Sequence, residues 1–336
     1  MARITMVTDA WYPQVNGVVR TTDMTAKTLR DFGHTVDIVE PTGLLALGVP
    51  FYPEVRLSFP YSAAISKRLK SFAPDHVHIT TEGTLGLAVR AFCRSRGWVF
   101  STSYHTKFPE YLKKLAYVPE CVTFAFLRWF HNPARPLMVA TPSLEADLVK
   151  HGFKAPIKRW SRGVDSKLFR PRPKVESPYP GPTLLYVGRV SNEKNVEAFL
   201  KLKTPGTKVV VGDGPARVGL EKQYPDAKFL GYRTGEDLAN CYAMADLFVF
   251  PSLTDTFGLV VIEALASGVP VAAFPATGPV DIITRPELGC CDNDLSVAIT
   301  KALASGTREE CLKEAVRYSW ENCTREFVEN LLPVRA

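Results

Sequence analysis

The densest concentration of groups able to do chemistry is Phe250-Pro-Ser-Leu-Thr-Asp-Thr-Phe-Gly-Leu-Val-Val-Ile-Glu-Ala-Leu-Ala-Ser-Gly-Val-Pro270. Here a buried strand gives way to a loop, and a helix is predicted to start near Gly258 and Leu259. The first N–H groups of a helix lack intrahelical partners and sit at the positive end of its dipole. Those of Thr256, Phe257, Gly258, Leu259 and Val260 are therefore candidates for holding an anion such as phosphate. Glu263 falls one turn into the helix, where a carboxylate can accept two ribose hydroxyls. Taken singly, Asp255 reads as a helix cap and Glu263 as a surface charge compatible with the dipole.

Two glycine turns have weaker signals. Gly17 stands where a loop, Asp9–Asn16, enters a helix, so a phosphate can approach the backbone there, although turn chemistry alone explains such a glycine. Val211-Gly-Asp-Gly-Pro-Ala-Arg217 follows a strand but carries Arg217 where a dinucleotide fingerprint has its third glycine. That argues against a nicotinamide-dependent enzyme. Asp292-Asn-Asp294 has the letters of an acidic metal motif, but it stands at a helix start, where capping accounts for it.

These residues need elements to position them, and the chain supplies strands and helices in alternation. Arg3–Thr8, His34–Glu40, His76–Thr80, Val99–Ser103, Met138–Thr141 and Ile157–Trp160 read as strands. Helices are predicted over 18–32, 62–72 and 85–96. Strands separated by helices of this length argue for a parallel sheet with crossover helices. Residues 171–182 hold five prolines and a glycine, which excludes helix and central strand and marks a linker. The alternation then restarts, with strands at 183–187, 208–211, 228–230, 247–250 and 270–273 and helices near 196–200, 237–244 and 260–266. The expected fold is α/β, with two doubly wound Rossmann-like domains, 1–170 and 183–315. Ligands of such sheets bind outside the carboxyl ends of their strands, in a cleft between two such domains.

The bulk properties agree with two globular domains. The 336 residues are 46% hydrophobic and 22% charged, and no run is long and apolar enough for a membrane-spanning helix. The N-terminus reads as a first buried strand and not as a signal peptide. Seven scattered Cys give neither a disulfide framework nor metal-ligand spacing, which fits reduced thiols in a cytoplasmic protein. Between Tyr61 and Arg172 there are 19 Lys and Arg against 7 Asp and Glu, a local +12 in a chain of net +7, which leaves −5 for the remainder. This asymmetry suits an anionic partner of the first half, or a solvated basic surface without one.

The segment around Asp255 and Glu263 resembles the signature of the retaining GT-B glycosyltransferases of family 4, in which two glutamates eight positions apart precede Ala-x-Ala-x-Gly-x-Pro. Glu263 matches the second, which binds the nucleotide ribose; Asp255 replaces the first and is one methylene shorter. Tyr186-Val-Gly-Arg-Val-Ser-Asn-Glu-Lys-Asn195 resembles the turn that supplies Arg189 and Lys194 to the donor diphosphate. Val211–Pro215, the Ser103-Tyr-His-Thr106 loop, Asn16-Gly17-Val18 and Ser161–Pro171 match further family segments in the expected order. The resemblance covers the whole chain. It implies a GT-B fold, two Rossmann-like domains facing across a cleft, with acceptor binding in domain 1–170 and nucleotide-sugar binding in domain 183–315. The last helix, within 316–336, is expected to pack back on the first domain through Trp320 and Phe327.

The implied activity is transfer of a hexose from a UDP- or GDP-sugar with retention and without a metal or other cofactor. Arg189, Lys194, the 256–260 amides and the Gly17 backbone would stabilise the departing diphosphate, His105 and Asp255 would meet the donor sugar, and Tyr232 would lie near the base. Front-face substitution is the favoured route; Glu82 is the one candidate for a covalent nucleophile. Ser66-Lys-Arg-Leu-Lys70 and the aromatic, basic stretch Tyr111–Phe130, with Lys113, Lys114 and Arg128, suit an anionic bilayer. The Ser-Tyr-His-Thr loop resembles the lipid-glycosylating branch, which implies a glycerolipid acceptor such as diacylglycerol and a peripheral place on the inner face of the plasma membrane. The competing account of that stretch is a core helix interrupted at Pro119, with Phe124, Phe126 and Trp129 packed inside. A soluble sugar or polysaccharide acceptor is the nearest alternative. A non-enzymatic anionic lipid-binding protein leaves Arg189, Lys194 and Glu263 unexplained, and no nucleic-acid motif is present.

Overall fold

A computed structural model describes residues 1–14, 16–42, 46–49, 52–58, 62–172 and 177–335, with the backbone alone at 46–49, 52–58, 62, 111 and 114–116. Residues 173–176 of the proline-rich segment and the Tyr111 and Lys114 side chains thus lie outside it. The chain divides into two compact units, Met1–Ser161 with Trp320–Ala336, and Arg162–Ser319.

The first unit runs β1 (Arg3–Val7), α1 (Gly17–Asp31), β2 (Thr35–Val39), β3 (Ala46–Val49), β4 (Tyr52–Ser58), α2 (Ser62–Phe72), β5 (His76–Ile79), α3 (Thr84–Arg96), β6 (Ser101–Ser103), α4 (Phe108–Ala116), α5 (Glu120–His131), β7 (Leu137–Val139), α6 (Pro142–Lys150) and β8 (Ile157–Arg159). Its six-stranded sheet has the order β2-β1-β5-β6-β7-β8, all parallel, and β3 and β4 pair as an antiparallel hairpin. That hairpin has no counterpart among the strands predicted above, although Glu54-Val-Arg-Leu-Ser58 alternates polar and apolar residues. The predicted 138–141 strand ends sooner, because Thr141 turns its hydroxyl onto Leu144 N and caps α6.

The second unit runs β9 (Thr183–Val187), α7 (Val196–Leu200), β10 (Thr207–Val211), α8 (Arg217–Gln223), β11 (Lys228–Gly231), α9 (Gly235–Ala243), β12 (Leu247–Phe250), α10 (Leu259–Ala266), β13 (Val271–Ala273), α11 (Pro279–Ile282), β14 (Gly289–Cys291), α12 (Leu295–Ser305) and α13 (Arg308–Ala315). Its sheet is parallel throughout, in the order β11-β10-β9-β12-β13-β14. The central strands β9 and β12 are buried at every residue, which is why Thr-Leu-Leu-Tyr-Val and Leu-Phe-Val-Phe read as continuous apolar runs.

The last helix, α14 (Trp320–Glu329), clusters with the first unit. Trp320, Cys323, Phe327 and Leu331 join Ile4, Met6, Leu29 and Trp160 in one buried cluster. Glu326 accepts the Ser161 amide at 2.7 Å, and beyond the helix Val334 N donates to Asp75 O at 2.8 Å.

Candidate active site

In the second sheet the strand order reverses between β9 and β12, so the loops leaving their carboxyl ends diverge. An open α/β sheet binds ligands at such a switch point. The loop after β9 carries Arg189 and Lys194, and the loop after β12 carries Asp255. The first is held open by backbone packing: a methyl group on Gly212 would overlap the Gly188 carbonyl, and one on Gly214 would meet that of Val190. With φ of +137° and +156° these positions also disfavour a side chain. Tyr186 lies buried beneath the turn and donates to Arg189 O at 2.7 Å. Burial and nearby carboxylates push its phenol well above the usual range, so it stays a neutral donor.

The two loops meet through charge. Lys194 Nζ lies 2.9 Å from Asp255 Oδ2, while Asp255 Oδ1 accepts from Thr256 N at 2.8 Å and Phe257 N at 3.3 Å. Burial acts to raise the Asp255 carboxyl, but the Lys194 charge and hydrogen bond, with the two amides, hold it below the usual carboxylate range. Two of the five amides expected to hold an anion are thus already taken by a side chain from their own loop. The expectation of an anion at the start of α10 is left to the amides of Gly258, Leu259 and Val260. A third loop adds support, since the Thr277 hydroxyl donates to Asp255 O and Gly278, at φ +95°, packs directly on the Phe257 backbone.

Glu263 is 2% exposed, which overturns its reading as a surface charge. Its Oε2 accepts from Tyr242 OH at 2.9 Å, and Tyr242 is itself fully buried. Arg189 approaches Glu193 only loosely, at 3.9 Å, and keeps more than a third of its side-chain surface open. Tyr232 is exposed just beyond β11. Asp294 caps α12 by accepting from Ser296 N at 2.8 Å, as expected of it.

Tyr186, Asn195, Tyr242, Thr277 and Gly278 were not singled out by the sequence. Tyr186 and Tyr242 sit among apolar neighbours on a strand and a helix, where a phenol is indistinguishable from core. Asn195 had one signal: asparagine is the side chain best able to take the left-handed turn its φ of +54° requires.

In the first unit, Gly17 opens α1, but Asn16 Oδ1 accepts from Val18 N and Val19 N at 3.0 Å each, so this helix start is capped by its own chain. Asp9 holds the entry to α3, accepting from Leu85 N at 2.7 Å and the Thr81 hydroxyl at 2.8 Å. His105 follows β6 and forms a T-shaped pair with Trp160, with centroids 5.7 Å apart. The residues of β6 divide between two buried histidines. Ser101 and Ser103 face the ring nitrogens of His78, and Thr102 faces His131. Nε2 of His131 lies 3.0 Å from Glu82 Oε1. Glu82 is buried with that oxygen committed to a hydrogen bond with the His131 ring, an arrangement of the core and not of an exposed nucleophile.

Residues 15–168 match the profile described as Glycosyltransferase Family 4, and residues 181–307 that of Glycosyl transferases group 1. The chain is 33% identical over 316 residues to a GDP-mannose-dependent alpha-mannosyltransferase of Mycobacterium tuberculosis, a match covering 85% of this chain and 82% of the relative. This chain belongs to the family 4 glycosyltransferases. The glycosyltransferase is also 32% identical over 256 residues to sulfoquinovosyl transferase SQD2 of Arabidopsis thaliana, covering 71% of this chain but only half of that longer protein. It is 28% identical to the alpha-monoglucosyldiacylglycerol synthase of Streptococcus pneumoniae, over 90% of this chain and 78% of the relative. Its fold matches the sucrose-phosphate synthase of Thermosynechococcus elongatus with a TM-score of 0.76, at 20% identity and 98% coverage of both chains. Family membership makes it an enzyme that uses nucleotide-sugar donors and gives it the GT-B architecture of two Rossmann-like domains.

Proposed function

We propose that this glycosyltransferase moves a hexosyl group from a UDP- or GDP-sugar, with retention and without a metal, to the hydroxyl of a membrane glycerolipid such as diacylglycerol. The observation that carries the donor half is the Lys194 ammonium at the β9/β12 switch point, on the loop that also carries the part-exposed Arg189. A cation held by the loop that enters α10, with a second on the same β9 turn, suits a departing diphosphate, whose growing charge they would stabilise without an added ion. Glu263, fixed by Tyr242, is suited to the ribose, with Tyr232 toward the base. His105 and Gly17 are assigned to the reacting sugar and the diphosphate by the family resemblance. Front-face substitution, in which the acceptor proton passes to the leaving phosphate oxygen, is favoured because Glu82 is engaged by His131.

The acceptor half rests on α5 and on the relatives that are lipid glycosyltransferases. Phe124 of that helix packs in the core, but Val122, Phe126 and Trp129 are 56%, 40% and 55% exposed and repeat at i, i+4 and i+7 on one face. The Arg90 guanidinium lies 3.8 Å from the Trp129 ring centroid and donates to the Trp129 and Phe130 carbonyls, which keeps the indole outward. Exposed aromatics packed on Arg90, from a helix whose last turn also carries Arg94 and Arg96, suit the interface of an anionic bilayer. Membrane association would be peripheral, on the inner face of the plasma membrane; no helix among the described residues is long and apolar enough to cross.

The test is a panel of UDP- and GDP-sugars assayed for nucleotide release with and without anionic vesicles containing diacylglycerol. Release from one donor, stimulated by vesicles, lost in Lys194→Ala and losing its vesicle stimulation in Trp129→Ser, is the expected result. Release indifferent to vesicles would move the acceptor to soluble glycans. Binding to vesicles with no donor bound or turned over would leave a lipid-binding protein in its place.

A further inference from the structure

The resemblance gives Asp255 the donor sugar, yet its oxygens point elsewhere. Oδ2 holds Lys194 and Oδ1 holds the amides of its own loop, and its carbonyl takes Thr277. With one methylene fewer than glutamate, the carboxylate must give up Lys194 to reach outward. The residue after Lys194 points the same way. Asn195 adopts φ +54° and ψ +34°, a conformation that glycine takes freely, and its amide donates to Pro251 O at 3.1 Å. The 192–195 turn is therefore stitched to the 251–257 loop at two adjacent points, one ionic and one neutral.

We propose that Asp255 acts on the donor through Lys194, as a positioning residue that with Asn195 fixes the ammonium for the diphosphate, and that it is not a ligand of the transferred sugar. This rests on the donor-site reading above and refines it. A carboxylate that contacts the sugar separates a nucleotide sugar from its bare nucleoside diphosphate. One that only aims a phosphate-binding lysine affects both alike.

The experiment is equilibrium binding of UDP, GDP and their hexose derivatives to the full chain, as wild type, Asp255→Asn, Lys194→Ala, the double variant and Asn195→Gly. Asn195→Gly suits the left-handed backbone and deletes only the stitch to Pro251, so it serves if Asp255→Asn does not fold. In both Asp255→Asn and Asn195→Gly the affinities for diphosphate and diphosphate sugar should move together, keeping their ratio within about twofold, while kcat falls by about tenfold. In the Lys194→Ala background, Asp255→Asn should change affinity by less than about twofold, because its partner is gone. Loss of the preference for the sugar nucleotide in Asp255→Asn, with diphosphate affinity intact, overturns the proposal and leaves the donor site standing. Additive effects of the two substitutions overturn it as well. Wild type that binds no nucleotide at all sinks the donor-site reading itself, and this role with it.

Discussion

At the scale of single residues, the site is built from charged and phenolic groups whose partners fix their direction. Asp255 titrates below an ordinary aspartate in the folded protein, while in the unfolded chain it returns to about 3.9. Its stabilising contribution is therefore fully present above about pH 4 and is lost as pH falls through the lower, folded value. Asp255→Asn should accordingly flatten the acid limb of stability below about pH 4, with little change in slope near neutrality; urea midpoints measured from pH 2 to pH 7 check this. Glu263 depends on a different donor. Tyr242→Phe removes the hydroxyl from Oε2 and should weaken nucleotide binding and stability by about 1 kcal/mol each, the usual worth of a buried hydrogen bond. Calorimetry with the preferred nucleotide and a thermal melt would read both, and an unchanged nucleotide affinity would separate Glu263 from the ribose.

At the scale of elements, the β9 and β10 turns are held at contact distance by their glycines. A Cβ at Gly212 meets the Gly188 carbonyl with no flexible side chain to yield, and φ of +137° adds strain. Gly212→Ala should cost about 2–3 kcal/mol and displace the turn that presents Arg189, so donor affinity falls with stability. Gly219 has open space around it and an ordinary backbone. Gly219→Ala is the control, within α8, and should be neutral or slightly stabilising. Unfolding curves and donor titrations of the pair separate steric cost from any general effect of losing a glycine.

At the scale of the whole molecule, α14 returns to the first unit after the chain has built the second. Phe327 is fully buried against Trp160 and His78, with ring centroids 4.8 and 4.9 Å away. Phe327→Ala should therefore cost about 3–5 kcal/mol. The loss should appear in the first unit, as early exchange of the β1 and β5 amides by hydrogen–deuterium exchange, while the second sheet keeps its protection.

The sequence by itself determined the strand and helix alternation, because central strands such as β9 and β12 are written as unbroken apolar runs, β2 as an alternating one, and their crossovers as amphipathic stretches. It also determined the order in which Arg189, Lys194, Asp255 and Glu263 occur, and through that order the family. The β3–β4 hairpin escaped it because Pro53 weakens the alternating run Glu54–Ser58 as a strand signal. The tertiary structure alone decided who binds whom. Lys194 and Asp255 are 61 positions apart and meet only because β9 and β12 are neighbours in the sheet. The same fold spends two α10-loop amides on Asp255, turns Glu263 inward onto Tyr242 and Glu82 onto His131. Periodicity along a chain reports which face of an element is buried. The direction of a carboxylate depends on the donors that distant segments bring to it, and no local pattern encodes those.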